Sequence, residues 1–454
     1  MNYWLVRAKW GGVDDKTTQF VQNDEWVNGY DDKYLDIVNR VEEGDILLLA
    51  DNSLVNYYAK CEDNEKNGQN IVVDSWKKFK EPISFPAKGA YIKTIVKIND
   101  SDLIEKTKFS IEELKAELSI YIKSINLQNF TLFRKNYLEF SSGVNVIIGE
   151  NGTGKTQLIK LLYALIDSNN KMVTDTENYL FKIEKKIESI FYTNIKNLVT
   201  KKETESRIDL DFDKYNFSFS FDGKDSSSSI TAKTHNKKAL FIPAKEMLSF
   251  YTGFRSIYNQ TSFDETFYDL ANSLGKLVPK NRILETFEEN ILEDLEKILG
   301  GKIILEQDKF YLLEDDGNKR EISLVAEGAR KLGTIFHLLA NGTIEKGSVV
   351  FWDEPESNLN PNLIKLIVDI LITLSENGIQ VFITTHNYFM IKYFDVRKKQ
   401  KNSLDLTFIS LVKENDEVTH QTSIDIYDLE HNAIIDEMEN IYLESSKQFY
   451  RGKE

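Results

Sequence analysis

Gly149-Glu150-Asn151-Gly152-Thr153-Gly154-Lys155-Thr156 follows the apolar run Val144-Asn145-Val146-Ile147-Ile148 and precedes Gln157-Leu158-Ile159-Lys160-Leu161-Leu162, whose apolar spacing is helical. Strand, glycine-rich loop and helix start come in the order that a GxxxxGK[ST] phosphate loop requires. Glycines lack Cβ, so consecutive backbone N–H groups can curl around phosphate oxygens, and the partial positive charge of the helix N-terminus adds to their pull. In that geometry Asn151, Gly152, Thr153 and Gly154 form the cradle, Lys155 reaches the β- and γ-phosphates of ATP, and Thr156 ligates Mg²⁺. The spacing predicts an α/β nucleotide-binding domain.

Two later stretches complete such a site. Gly347-Ser348-Val349-Val350-Phe351-Trp352-Asp353-Glu354-Pro355-Glu356 is a mostly apolar strand ending in adjacent carboxylates. Asp353 is placed to hold Mg²⁺ through water, and Glu354, aimed differently, to polarise an attacking water as general base. Without a phosphate loop upstream, such a pair would be an ordinary solvated strand end. Val381-Phe382-Ile383-Thr384-Thr385-His386-Asn387 is another apolar strand, and its terminal His386 is placed to hydrogen-bond the γ-phosphate from the edge of the site.

A chain of 454 residues exceeds what one hydrophobic core supports, so two or more domains are expected. The formal net charge of -15 argues against generic coating of nucleic acid, which needs dense Lys and Arg, although a local basic face is compatible with it. No run of about 18 apolar residues is present to span a membrane, and Met1-Asn2-Tyr3-Trp4-Leu5-Val6-Arg7 lacks the features of a secretory signal, so a cytoplasmic protein is expected. Cys61 is the only cysteine, which excludes an intrachain disulfide and a cysteine-rich zinc site.

Four of the five tryptophans (Trp4, Trp10, Trp26, Trp76) fall in the first 76 residues. Strand-like pieces recur there at Tyr3 to Ala8, Asp45 to Ala50, Val55 to Lys60, Asn70 to Asp74 and Tyr91 to Ile98. A small β-rich domain is predicted over 1–100, a charged helical connector over 101–117, and the nucleotide-binding domain over 118–454. Within the last, 157–199 read as mainly helical. Ile208, Leu210 and Phe212 alternate, as do Phe217, Phe219 and Phe221 before the turn Asp222-Gly223, which predicts an antiparallel excursion. Ser226 to Ser229 read as an exposed loop, and Asn281 to Leu299 as one amphipathic helix. No heptad pattern supports a long coiled-coil arm.

The succession GENGTGKT, FWDEPESNLNP, FITTHN resembles the ATP-binding-cassette class of ATPases, specifically the SMC, RecF and OLD-like branch found in DNA repair and anti-phage defence, over about residues 118 to 395. The resemblance implies Lys155 and Thr156 as phosphate and Mg²⁺ residues, Asp353 as the metal-binding acid, Glu354 as catalytic base and His386 as switch histidine. It implies a site built from two subunits, hence a dimer or larger oligomer through ATP, with Ser357 to Asn360 touching the partner. The family's serine-glycine-glycine signature finds its best match at Leu324-Val325-Ala326-Glu327-Gly328-Ala329-Arg330-Lys331. Ala326 replaces the serine, leaving Gly328 and the charges of Arg330 and Lys331 to meet a phosphate in trans. The other reading is that both charges are solvated helix positions. For the family's metal-contacting glutamine, Lys245 or Glu246 is in place, or the stretch is a structural turn. OLD-type relatives carry a TOPRIM nuclease, for which residues 387–454 leave no room; Asp436, Glu437 and Glu439 read as a solvated helix face. A nuclease of that type would then be a separate effector protein.

The first domain resembles the EVE group of the PUA-like fold, including readers fused to McrB-type restriction ATPases, on Tyr3-Trp4-Leu5-Val6-Arg7-Ala8, Phe20 to Trp26 with Gly29-Tyr30, Val41 to Leu49 and Val72 to Trp76. The resemblance implies a small β-barrel holding a flipped or modified base in an aromatic pocket. Trp10, Trp26 and Tyr30 are the candidates for that pocket. The alternative is that these aromatics fill the barrel core, as Trp4, inside a strand, is expected to do. Where related domains carry a basic residue, Leu47-Leu48-Leu49-Ala50-Asp51 ends in an acid, so a phage component or a partner protein stands beside nucleic acid as ligand. The combined expectation is a switch ATPase of prokaryotic anti-phage defence, with a RecF-like repair ATPase as the alternative.

Overall fold

The apolar runs leading into the phosphate loop, the acid pair and the histidine are neighbouring strands of one sheet in a computed structural model of the chain. The structure describes residues 1–10, 14–85, 93–118, 120–168, 176–212, 215–224, 228–232, 237–258, 263–279, 282, 284–415 and 417–451. It divides into two compact units, Met1–Leu118 with Lys280–Glu289, and Ser119–Pro279 with Asn290–Glu454.

In the first unit the strands are β1 (Tyr3–Arg7), β2 (Lys9–Trp10), β3 (Asp14–Asp15), β4 (Glu25–Val27), β5 (Ile46–Asp51), β6 (Leu54–Asp63), β7 (Asn70–Val73), β8 (Lys77–Ser84) and β9 (Ile95–Lys97), and the helices are α1 (Thr17–Gln22), α2 (Leu35–Val38) and α3 (Ser101–Leu118). The main sheet runs β4-β7-β6-β5-β1-β9, with β8 also on β6 and β2-β3 a separate ribbon. β1 and β5 pair in parallel; the other pairs are antiparallel. Among the described residues the end strands β4 and β9 do not pair with each other.

β1 and β5 are apolar up to their terminal Arg7 and Asp51 because both faces of the sheet are covered. Side chains of a strand alternate between faces, so Trp4, Val6, Leu47 and Leu49 join one core with Phe20, Trp26 and Trp76. Tyr3, Leu5, Ile46 and Leu48 join the other with Phe79, Ile83, Leu103 and Ile111. The last two residues lie on α3. The stretch expected to be a connector is therefore part of this unit, held by its own apolar positions.

The second unit begins with β10 (Ile122–Phe130), β11 (Phe133–Glu139), β12 (Val144–Gly149), α4 (Lys155–Ser168), α5 (Thr176–Phe191), β13 (Glu205–Phe212), β14 (Tyr215–Asp222), β15 (Ser228–Ala232), β16 (Ala239–Ile242), α6 (Tyr251–Tyr258) and α7 (Glu265–Leu274). After α8 (Thr286–Leu299) come β17 (Gly301–Glu306), β18 (Lys309–Glu314), β19 (Lys319–Glu321), α9 (Glu327–Ala340), β20 (Val349–Asp353), α10 (Pro361–Glu376), β21 (Gln380–Thr385), α11 (Tyr388–Gln400), β22 (Leu406–Glu414), β23 (Glu417–Ser423) and α12 (Ala433–Arg451).

Its principal sheet is ordered β16-β20-β21-β12-β22-β23, parallel except for β23. Parallel strands need long crossovers, here helical, and are buried on both faces. Every residue of β12, β20 and β21 is accordingly buried. The register Ile148↔Thr385 and Asp353↔Thr384 brings the carboxyl ends of the three strands side by side. The expected antiparallel excursion is the sheet β11-β10-β13-β14-β15, with Ile208, Leu210, Phe212, Phe217, Phe219 and Phe221 all buried.

Two local expectations change. The amphipathic helix starts at Thr286, and Asn281 and Ile283 lie outside the described residues. Ser226 and Ser227 also lie outside them, whereas Ser228 and Ser229 open β15, where the hydroxyls of Ser229 and Ser220 meet across the strands at 2.9 Å. Among the described residues no helix is long and apolar enough to cross a membrane. Asp436, Glu437 and Glu439 are exposed on α12.

Candidate functional site

The loop between β12 and α4 closes on itself. Gly149 has φ +148° and Gly152 φ +80°. A Cβ on Gly149 would lie 2.4 Å from the Leu411 carbonyl oxygen, whereas one on Gly152 would meet nothing within 4 Å, so the loop is tight against β22 on one side and open on the other. The buried Lys155 ammonium donates to the carbonyls of Gly149 (2.8 Å) and Glu150 (2.9 Å). Burial lowers its pKa, against the pull of Glu354, Asp353, Glu356 and Glu150. A lysine folded over its own loop beside open space fits a phosphate, which offers it better acceptors than carbonyl oxygens.

Thr156 Oγ1 donates to Asp353 at 2.9 Å to Oδ1 or 3.1 Å to Oδ2, and Thr384 Oγ1 donates to Oδ1 from the adjoining strand. Burial pushes the Asp353 carboxyl up, and these two hydroxyls oppose the shift. One carboxylate and one hydroxyl at a phosphate cradle fit Mg²⁺, which keeps several waters and phosphate oxygens in its shell. Among the described residues no group of three or more His, Cys, Asp or Glu could hold a metal by itself.

Glu354 has φ +45°. A left-handed backbone costs a residue with a side chain roughly 1–3 kcal/mol unless its surroundings enforce it. Here its N–H donates to the carbonyl of Thr384 (3.1 Å) and its carbonyl accepts from the Ser357 N–H (3.1 Å). Asp353 stays buried, while the Glu354 carboxylate comes out at the rim with Oε1 3.2 Å from Nδ1 of His386, whose side chain is 53% exposed. A buried carboxylate below and a half-buried one above, with a histidine beside it, is an arrangement able to hold a cation and activate water next to a bound phosphate.

Three contributors lay outside the sequence expectation. Glu356 is buried; its Oε1 accepts from Thr385 Oγ1 (2.5 Å) and from the His386 N–H (3.4 Å), while Oε2 has no hydrogen-bond partner among the described residues. Burial raises its pKa. Thr384 and Thr385 are the other two contributors, one hydroxyl on Asp353 and one on Glu356, and the only hint of them was a pair of hydroxyls closing an apolar strand.

The signature stretch is folded inward. Ala326 is the N-cap of α9 and offers no side-chain cap. Gly328 packs on Leu359, to whose Cδ2 a Cβ would approach within 3.0 Å. Arg330 donates to the Val325 carbonyl (2.7 Å) and pairs with Glu246 at 2.9 Å, and Lys331 is only 3% exposed. The reading of Arg330 and Lys331 as solvated charges is thus corrected: each has a carboxylate or carbonyl to meet inside. No hydrogen bond or ion pair among the described residues joins Gly328 or Arg330 to the phosphate loop. Glu246 is committed to Arg330 and to Ser249, while Lys245 is exposed. Ser357 likewise turns inward, toward the Ala244 and Glu354 carbonyls, and Asn360 caps α10 through the Leu363 N–H (3.0 Å).

In the first unit Trp26 is 0% exposed and donates Nε1–H to the Arg7 carbonyl at 3.0 Å. It fills the core with no surface open to solvent, which among the candidates fits the core-filling alternative. Trp10 and Tyr30 are half-buried. The Trp10 ring lies so close to Gly29 that a Cβ there would come within 2.5 Å, and Lys16 sits 5.1 Å from the ring centroid. Tyr30 meets Tyr34 edge-on at 5.6 Å.

Residues 144–391 match the protein family described as "AAA domain, putative AbiEii toxin, Type IV TA system". An ATP/GTP phosphatase of Helicobacter pylori is 21% identical over 346 residues, 65% of this chain and 93% of that protein. The DNA replication and repair protein RecF of Pediococcus pentosaceus is 44% identical over 46 residues, 10% of this chain and only 12% of RecF. Among solved structures, an SMC head bound to the C-winged helix domain of ScpA covers 67% of this chain and 97% of its own, at 15% identity and a TM-score of 0.46. The family match spans more than half of the chain and holds the phosphate loop, the acid pair and His386, so this protein belongs to that AAA-domain family of ATPases.

Proposed function

We propose that the chain is a switch ATPase that binds ATP with Mg²⁺ in the 149–156 loop and hydrolyses it with Glu354 as general base. The observation that carries this reading is the Thr156–Asp353 hydrogen bond beside the Glu354–His386 pair. Lys155 would move from the loop carbonyls to the β- and γ-phosphates, Thr156 and Asp353 would hold Mg²⁺, and Glu354 would take the proton of the attacking water. Mg²⁺, when bound, neutralises charge developing on the transferred phosphate. His386 fixes the Glu354 carboxylate and reports the state of the γ-phosphate edge. Bound ATP would join two or more copies, Gly328 facing the partner's nucleotide in the joined state. The first unit would act as the sensor, with Trp10 and Tyr30 as its ligand contacts and modified nucleic acid as the first ligand to try. The setting is cytoplasmic anti-phage defence, in which a separate effector such as a TOPRIM-type nuclease supplies the toxic activity; the toxin–antitoxin wording of the family description supports a defence setting and says nothing for the separate effector.

Glu354→Gln should lower turnover about 10²–10⁴-fold, the usual contribution of general base catalysis. It should also trap ATP and enrich the oligomer in light scattering; full turnover in this variant would sink the mechanism. The RecF segment match favours a second reading, a DNA-binding repair ATPase. ATP-dependent binding to unmodified DNA ends or gaps would select it.

A further inference from the structure

Glu354 is held in a conformation it would not choose. Its φ is +45°, and Pro355 follows, which drives the preceding residue toward extended backbone. Relaxation in that direction would swing its carboxylate away from His386. Three donors oppose it at a single atom, the Glu354 carbonyl oxygen. The Ser357 N–H donates at 3.1 Å, the Ser357 hydroxyl lies at 3.0 Å, and the Lys331 ammonium approaches to 3.4 Å. Lys331 also donates to Ser357 Oγ, which can place its own hydrogen on the Glu354 or the Ala244 carbonyl. Burying an ammonium is costly, and an apolar residue of similar length would pack there more cheaply. The cost is offset by carboxylates on the surrounding elements, Glu356, Glu327, Glu354 and Glu246.

Lys331 belongs to α9, and the first turn of that helix is fastened to the same segment. Glu327 Oε1 accepts from Asn358 Nδ2 at 2.7 Å, and Gly328 seats on Leu359. We propose that Lys331 is a positioning residue for hydrolysis, a clamp from α9 that holds the 354–357 turn so that the Glu354 carboxylate stays beside His386. The inference rests on reading Glu354 as the base. It gives α9 a direct mechanical route to that base within one subunit, since any shift of α9 moves the ammonium on which the turn hangs.

The test uses the full chain with Lys331→Met, Lys331→Arg, Ser357→Ala and Glu354→Gln. Lys331→Met should cut kcat at least tenfold per bound nucleotide, with the KM for ATP and the affinity for a fluorescent ATP analogue within twofold of wild type. Lys331→Arg, which keeps several donors, should restore most of the rate. Amide exchange of the 353–360 segment should accelerate about tenfold in Lys331→Met and less in Ser357→Ala, the phosphate-loop segment staying unchanged. Unchanged exchange over 353–360 in Lys331→Met would overturn the clamp, and so would faster exchange with unchanged kcat per bound nucleotide. Should Lys331→Met fail to bind nucleotide, Ser357→Ala decides by the same two readouts. Full turnover in Glu354→Gln refutes the hydrolytic reading alone, because the exchange measurement still reports on the clamp.

Discussion

Asp353 and Glu354 are consecutive carboxylates with opposite environments. Asp353 lies under two threonine hydroxyls with its carboxyl pushed up by burial, and Glu354 stands at the rim beside His386. The first carries a stability cost. An acid whose folded pKa lies above its unfolded value is destabilising once ionised, so stability falls as pH rises from about 3.9 through the folded pKa, and the penalty is complete above it. Asp353→Asn, which keeps an acceptor for both hydroxyls, should therefore raise the nucleotide-free melting temperature at pH 7, by roughly 2–4 °C for each kcal/mol recovered. The same variant should lose turnover and Mg²⁺-dependent stabilisation by ATP. A melting temperature equal to or below wild type at pH 7, read by calorimetry, would contradict the burial argument.

At the scale of elements, α9 decides how the acid strand β20 is used, because its first two turns face the turn after Glu354. It starts after the N-cap Ala326, which makes no side-chain cap, and the first N–H groups of a helix have no acceptor within the helix itself. Ala326 is already extended, with φ -56° and ψ 143°, so a serine there could cap without moving the chain. Ala326→Ser should stabilise the helix by about 0.5–2 kcal/mol, seen as a higher denaturant midpoint at unchanged slope. No gain would mean that the amides already have acceptors. The inward Arg330–Glu246 pair gives a second expectation. Arg330→Met strands a buried carboxylate and should cost roughly 3–5 kcal/mol, far above the effect of an exposed ion pair.

At the scale of the whole molecule, two units with separate cores should unfold in two transitions. ATP with Mg²⁺ should raise only the transition of the unit that holds the phosphate loop, by about 2.7 kcal/mol at a nucleotide concentration 100 times Kd. A single transition, or equal shifts of both, in calorimetry would reject that partition. Much of this organisation was legible in the sequence. The phosphate loop, the acid pair and His386 could be read directly because their chemistry depends on neighbours in the chain: glycine torsions, an apolar strand behind them and the charges at its end. Trp26 could not be assigned, since whether an aromatic residue lines a cavity or fills a core depends on which face of a folded sheet it occupies. The inward turn of Arg330 and Lys331, the burial of Glu356 and the membership of residues 280–289 in the first unit were equally out of reach. Local backbone geometry and side-chain type were enough to point to a nucleotide site of the family's kind and to name the residues proposed to serve it, because both are properties of neighbours in the chain. How Glu354 is held emerges from folding, because burial and the pairing of charges from distant segments are set by packing, to which sequence spacing is blind.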